Sequence, residues 1–311
     1  MKAARVVSWG SPPQYCSVDL PAPSPSQIKL KVMAVAVPPL VRGRALGKHP
    51  TAQGAALPFD PSVDGVGMDE ATGKLYYIAP MAAPLFTEYA NVERSNIIKL
   101  GPGANPVAVA TLVNPVGSSW MALRCRALPG SCKNATVLIL GVTSTSGRAA
   151  VDVARSLGAS RIIGMSRNED TLAAVQGLDH RVVLQDPIAL PPDIGPIHIV
   201  LDFVGGRAAS GVLAAAKAEP GKDIQYIHLG DLAGEDVIPL QARLLNAKPI
   251  RITGSGMGSW SKQDMKQELG GLLGAVVKMG IPDGVFTASL ADISGIWESE
   301  DAKKKRFVVI P

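Results

Sequence analysis

The pattern of apolar and polar positions changes about a third of the way along the chain. Up to about residue 110 it is strand-like and often interrupted. Ala3 to Trp9 reads as one strand. Gln27 to Val37 reads as another: Ile28, Leu30 and Val32 alternate with Lys29 and Lys31, the period of two that lays one face on a core. Between them Pro21 to Ser26 alternates proline with small residues, a stiff polar connector. Pro38-Pro39 stops the second strand, and an irregular Gly- and Pro-rich region follows to about Pro61. Short strands recur near Lys74 to Ala79 and Phe86 to Val92. Turn signals at this density predict a compact, barrel-like β domain.

From residue 111 to about 255 strands alternate with helices. A helix from about Asn105 to Leu128 leads into Thr136 to Leu140, a continuous apolar run of the kind found in a parallel strand covered on both faces. A tight turn, Gly141 to Gly147, follows. The helix after it is apolar at Ala150, Val153, Ala154 and Leu157, spacings of three and four. A second strand, Arg161 to Met165, completes a βαβ unit. A helix around Glu169 to Gln176 and strands at Arg181 to Leu184, Ile197 to Phe203, Ile224 to Leu229 and Ile250 to Gly254 continue the alternation. This order predicts a doubly wound parallel sheet. Ser261 to Met279 reads as a long amphipathic helix. The closing strand, Arg306 to Ile310, is expected to return to the β-rich domain. The expected division is residues 1–110 with 280–311 around a second domain of 111–279. No internal repeat is visible.

Composition narrows the class. With 311 residues, 47% apolar and 18% charged, the chain is globular and long enough for two cores. The net charge of +5 is modest and scattered apart from Lys303 to Arg306, which reads as a solvated approach to the last strand, so no nucleic-acid partner is expected. Cys16, Cys125 and Cys132 match neither a zinc-site spacing nor a disulfide framework, and reduced thiols are expected. No stretch approaches a membrane span, and the N-terminus has no signal-peptide pattern. A cytoplasmic location is the expectation.

The Gly141 to Gly147 turn carries the chemistry. Glycine at each end lets the backbone bend and the helix pack closely on the strand. The helix start then points free N–H groups over the turn, which favours a phosphate. Thr143, Ser144, Thr145 and Ser146 fill the middle, so the turn is not a clean G-x-G-x-x-G. A dinucleotide fold usually carries an acid at the end of the second strand to bind the adenosine ribose. Here the position holds neutral Ser166 and then basic Arg167. Arg167 can pair a 2′-phosphate that an Asp would repel, so NADPH is expected over NADH. The alternative is that Arg167 is a solvated helix-start residue. Phe203-Val204-Gly205 and Leu229-Gly230 sit at further strand ends, where ligands of open α/β sheets bind.

In this order the motifs resemble the medium-chain dehydrogenase/reductase superfamily, most closely its zinc-free quinone-oxidoreductase branch. The resemblance runs nearly end to end. Met1-Lys-Ala-Ala, Asp64 to Gly67 and Phe86 to Ala90 follow the family's catalytic domain. Ser118 to Leu123 looks like its T-A-y-x-A-L helix start, Gly141 to Gly147 like its G-A-A-G-G-V-G turn, Gly158-Ala like its L-G-A and Asp202 to Gly206 like its D-x-V-G-G. The turn also resembles that of fungal trans-acting enoyl reductases of the same superfamily. The resemblance implies a Rossmann-type sheet plus a GroES-like catalytic domain, and Ser118 facing the nicotinamide. It implies a homodimer paired through Arg251 to Gly258. The Cys ligands and four-Cys lobe of the zinc branch are absent, so no metal is expected. Set against the family's G-x-Y-P, Gly47 to Pro50 places His49 where the active-site Tyr stands, and Pro38 takes the place of an Asn. His49, with Lys48 behind it, is the candidate proton donor. Pro38, Phe59, Tyr89 and Trp120 are expected to line the small-molecule site between the domains. The implied activity is NADPH-dependent, zinc-independent hydride transfer to a quinone or enone. The alternatives are an enoyl reductase of a biosynthetic pathway and a non-catalytic NADPH-binding or sensing protein.

Overall fold

A computed structural model describes residues 1–256 and 258–311. Met257, inside the segment expected to pair subunits, lies outside the described residues. The chain opens with β1 (Lys2–Arg5), β2 (Gln14–Ser17), β3 (Gln27–Ala36), α1 (Pro39–Ala45), β4 (Gly65–Asp69), β5 (Lys74–Ile78), β6 (Tyr89–Glu93) and β7 (Ile97–Lys99). The middle runs through α2 (Pro106–Met121), β8 (Thr136–Leu140), α3 (Thr145–Ser156), β9 (Arg161–Ser166), α4 (Glu169–Ala173), β10 (His180–Val183), β11 (Ile199–Asp202), α5 (Gly206–Ala215), β12 (Ile224–His228), α6 (Ala242–Ala247) and β13 (Ile250–Gly254). It closes with α7 (Lys262–Lys278), β14 (Val285–Ser289), α8 (Ile293–Ile296), α9 (Glu300–Lys304) and β15 (Arg306–Ile310).

Two compact units result: Met1–Val113 with Leu273–Pro311, and Asn114–Leu272. In the second, six strands lie in the order β10-β9-β8-β11-β12-β13, and every pair is parallel. All five residues of β8 are buried, which is why its sequence is an unbroken apolar run. The order reverses between β8 and β11, the point at which an open α/β sheet leaves a crevice at its carboxyl edge. In the first unit the order is β14-β15-β3-β4-β5-β7, with β6 also on β3. β15 does return to this sheet, antiparallel to β3 through Val308 and Val309. Leu30 and Val32 of β3, Phe86, Trp297 and Phe307 meet in its core.

Several elements differ from the sequence expectation. The region read as irregular after Pro38 holds α1, with Pro39 in its first turn. There the fixed φ of proline is already helical and its missing N–H costs nothing, and the Pro38 carbonyl accepts from the N–H groups of Val41 and Arg42. The first strand ends at Arg5, and Val6 pairs only with Phe59. Phe86 lies outside β6 because its N–H goes to the Asp60 carboxylate, 3.1 Å away. Helix α2 stops at Met121 and gives way to a π-helical turn over Ala122–Arg126, closed by the Ala127 N–H on the Ala122 carbonyl. The helix from Glu169 ends early, at Ala173. The basic run at Lys303 is locally neutralised: Lys303, Lys304 and Lys305 pair with Glu298, Glu300 and Asp301. No described helix is long and apolar enough to cross a membrane.

Candidate functional site

The β8–α3 turn is built around its glycines. Gly141 has φ +86, a conformation side chains resist, and a Cβ there would lie 2.9 Å from Val204 Cγ2. At Gly147 a Cβ would meet the Gly141 carbonyl oxygen at 2.3 Å and Val142 Cα at 2.7 Å. Helix and strand approach this closely only because the side chain is absent. Ser144 is the N-cap of α3: its Oγ accepts from Gly147 N at 3.0 Å and donates to the Gly141 carbonyl at 2.9 Å. Its single proton is therefore spent inside the turn, and Ser144 shapes the loop instead of offering a hydroxyl to a ligand. Among the described residues the backbone N–H groups of Thr145 and Ser146 have no partner, and they stand in the first turn of α3. Two free donors at a helix start, with that helix's positive end, form an anion cradle.

The end of β9 lies beside this turn. Thr143 Oγ1 and Ser166 Oγ are 2.8 Å apart, which ties the turn to the strand end. Arg167 is exposed and makes no ion pair among the described residues. Arg148, missed in the sequence reading, reaches back from α3 to place Nε 3.2 Å from the Thr143 carbonyl. Its signal was available as a basic residue directly after the third glycine position. The acids that follow, Glu169 and Asp170, belong to the first turn of α4, which Asn168 caps. Among the described residues the strand end thus offers hydroxyls, with Arg148 bonded to the turn, Arg167 exposed next in sequence to Ser166, and no carboxylate hydrogen-bonded to Thr143 or Ser166. This chemistry fits a 2′-phosphorylated dinucleotide.

The remaining cofactor candidates gather on the same carboxyl edge. Asp202, fully buried at the end of β11, accepts from Val204 N at 2.8 Å and Gly205 N at 3.0 Å, and thereby fixes the loop. The Asp202 carbonyl accepts from Leu229 N at 2.7 Å and Gly230 N at 3.3 Å. Phe203 is buried and its carbonyl accepts from Leu232 N. Tyr226 donates its hydroxyl to Asp202 Oδ2, and His228 Nδ1 lies 3.4 Å from the same oxygen. Burial, and then the neighbouring Asp202 charge, hold the Tyr226 hydroxyl far above its ordinary pKa. The sequence shows the loop segments but not that Asp202, Tyr226 and His228 meet beneath them. Ser118 is half-buried on α2, and its hydroxyl donates to the Pro115 carbonyl at 2.8 Å.

The substrate and proton-donor candidates are placed differently. Pro38 is buried as the cap of α1, not open to a ligand. Trp120 is buried, with its indole N–H on Glu268 Oε2 at 2.9 Å and its ring against Gly271. The same carboxylate takes Arg124 through both oxygens, and that bond and charge hold Glu268 below the usual carboxylate range. Trp120 thus braces α2 against α7, a correction to its expected lining role. Tyr89 lies on β6 under the Lys29 ammonium, 4.5 Å from the ring centre. Phe59 packs on Trp9 at 5.4 Å and lies under the Arg44 guanidinium. Lys48 is exposed. His49 Nδ1 accepts from Thr51 N at 3.2 Å and lies 2.8 Å from Thr51 Oγ1, so the proton of its neutral ring sits on Nε2. His49 caps a single 3₁₀ turn, Pro50–Ala52.

No protein-family model matches the chain. It is 44% identical, over an alignment of 356 positions covering all of both proteins, to the "Probable NADPH-dependent quinone reductase tdiC" of Emericella nidulans. Among solved structures, the quinone oxidoreductase of Thermus thermophilus, determined also in complex with NADPH, matches with a TM-score of 0.75 at 23% identity, over all of both chains. A mycobacterial quinone oxidoreductase matches with a TM-score of 0.79 at 19% identity, again over all of both chains.

Proposed function

Because this chain belongs to the quinone-oxidoreductase branch of the medium-chain dehydrogenase/reductase superfamily, we propose that it is an NADPH-dependent reductase acting on a conjugated carbonyl compound, a quinone or an enone. The observation that carries the reading is the Gly141–Gly147 turn, with free N–H groups at Thr145 and Ser146 beside an acid-free, arginine-bearing strand end. The pyrophosphate would rest on those N–H groups. Ser166 and Arg167, with Thr143 and Arg148, would hold the 2′-phosphate. Phe203, Val204, Gly205, Leu229 and Gly230 would receive the nicotinamide half, with Ser118 as a further contact. When bound, reduced nicotinamide supplies a hydride. A quinone or enone is already electrophilic, so the chain's tasks are to hold donor and acceptor in line and to keep water away. The transfer calls on no Lewis acid in this reading.

The division of labour gives dinucleotide binding to the unit with the parallel sheet and acceptor binding to the β-rich unit. A cytoplasmic homodimer belongs to the same reading. Among the described residues no strand pairs with the outer edge of β13, and Ile252 on it is 42% exposed. Gel filtration at micromolar concentration tests the dimer, and elution at the monomer size contradicts it. The function itself is tested by NADPH oxidation with 1,4-benzoquinone and cyclohexenone. Turnover of either supports it and the faster one names the class. Tight NADPH binding with no turnover of any acceptor in such a panel leaves a cofactor-binding protein instead.

A further inference from the structure

The cluster at the ends of β11 and β12 does more than shape a loop. Asp202 and His228 are direct partners in the parallel ladder, so strand register alone sets them side by side. Tyr226, two residues before His228, falls on the same face and donates to the same carboxylate. Asp202 is wholly buried, and its two oxygens together take two backbone N–H groups, a phenol and an imidazole. A buried carboxylate held this way acts as an acceptor, so the hydrogen of His228 sits on Nδ1 and points at Asp202. Nε2 is left as the free nitrogen. It has no partner among the described residues, and the side chain is 37% exposed.

Position then decides what Nε2 can reach. The sheet order reverses between β8 and β11, and the phosphate cradle stands at β8. A dinucleotide spans such a reversal with one half on each side. The adenosine half belongs with β9, where Ser166, Arg148 and Arg167 gather. The other half must therefore run over the ends of β11 and β12, and His228 is the last residue of β12. The imidazole lies over the backbone of that path: a Cβ at Gly205 would be 3.3 Å from His228 Cε1.

We propose that His228, oriented by the buried Asp202, is the proton donor of the reduction, placed at the nicotinamide end of the cofactor path. The inference rests on the reductase reading. Reduction of a quinone to its hydroquinone needs two electrons and two hydrogens. The hydride brings both electrons and one hydrogen. The other arrives as the imidazolium Nε2–H bond breaks and an O–H bond forms on the acceptor, and solvent returns the proton to Nε2. Asp202 is the positioning residue, which holds the ring through its Nδ1 contact. Among the described residues, the other titratable or charged groups around His228 are Tyr226 on its own strand, Arg126, whose guanidinium bonds the carbonyl of Gly254, the β13 partner of His228, and Asp231 and Glu235 on the loop that follows. Tyr226 keeps its proton through the working range, and Glu235 turns to the backbone N–H and guanidinium of Arg207.

Two measurements on the full-length protein test this. The first reads position without turnover. Diethyl pyrocarbonate modifies accessible imidazole nitrogens, and mass spectrometry locates the adducts. His228 should be modified in the free protein and protected by saturating NADP⁺, with the His180 and His198 peptides unaffected by NADP⁺. A His228 that does not react, or reacts equally with NADP⁺ bound, overturns the placement. The second is His228→Asn, whose amide keeps a donor toward Asp202 but carries no transferable proton. NADPH affinity should hold within about threefold while kcat falls about 100-fold, the usual scale of a lost general acid. The loss should be largest for quinones whose hydroquinones are weak acids and small for those reduced to stable anions. Imidazole should restore turnover to His228→Ala. If wild-type protein turns over quinone and His228→Asn matches it across the pH range, the proton-donor role is wrong and the reductase reading stands. If wild-type protein consumes no NADPH with any acceptor, the reductase reading fails and takes this one with it.

Discussion

Replacing Asp64 by Asn should stabilise the protein at neutral and alkaline pH, and by progressively less as the pH falls toward about 4. Asp64 is buried at the start of β4, and Tyr77 donates its hydroxyl to Oδ2 at 2.6 Å. Burial pushes the carboxyl up to about 6, and the Tyr77 hydrogen bond opposes this only in part. In the unfolded chain the same group titrates near about 3.9. Between those values the folded state binds more protons than the unfolded one, so stability falls as pH rises through the window and stays low above it. A difference of about 2 pH units corresponds to about 3 kcal/mol at pH above about 7. Asparagine is nearly isosteric, can accept the Tyr77 bond through its carbonyl oxygen and carries no charge, so it removes this penalty. For a unit of about 150 residues, 3 kcal/mol shifts the melting temperature by roughly 6–12 °C. The assay is thermal unfolding of wild type and Asp64→Asn from about pH 4.5 to about pH 8. The gain should be about 3 kcal/mol at the alkaline end and shrink to about 1 kcal/mol at the acid end, where the unfolded chain is still mostly ionised and the folded carboxyl is not. A gain independent of pH, or a loss at the alkaline end, would refute the assignment of a strained buried charge.

Other expectations concern the cofactor site. Ser166→Asp combined with Arg167→Ala should reverse the NADPH over NADH preference, measured as the ratio of dissociation constants; an unchanged ratio removes both residues from the 2′-phosphate site. Arg148→Ala should weaken NADPH by about tenfold, the scale of one charge-assisted contact, and leave NADH unaltered; equal weakening of both would assign Arg148 to the loop alone. Gly147→Ala puts a methyl 2.3 Å from a backbone oxygen, so it should abolish NADPH binding and cost more than about 2 kcal/mol of stability. Retained binding there would mean that α3 can move away from β8 without harm.

The parallel sheet was legible because burial on both faces writes itself into sequence as unbroken apolar runs, as in Thr136–Leu140 and residues 199–201. The glycine turn and Ser166-Arg167 were legible for a different reason: each acts through its immediate neighbours. Short elements were not. Gln14–Ser17 is a strand only because Lys2–Arg5 lies opposite, and just one of its four residues is even half-buried. Helix α1 was hidden by a proline pair that stops a strand and starts a helix with equal ease. Trp120 looked like pocket lining until Glu268, 148 residues away, took its N–H. The Asp202–His228 pair depends on the register of two strands separated by a whole helix, and no local pattern carries that.

The central claim is that the β8–α3 turn holds NADPH. A fluorescence titration of the wild-type protein with NADPH tests it most directly, with NADH alongside. Saturable binding at one site per chain, with NADH weaker by about tenfold or more, is the predicted result. Absence of saturation with NADPH, or equal affinity for the two cofactors, would contradict it.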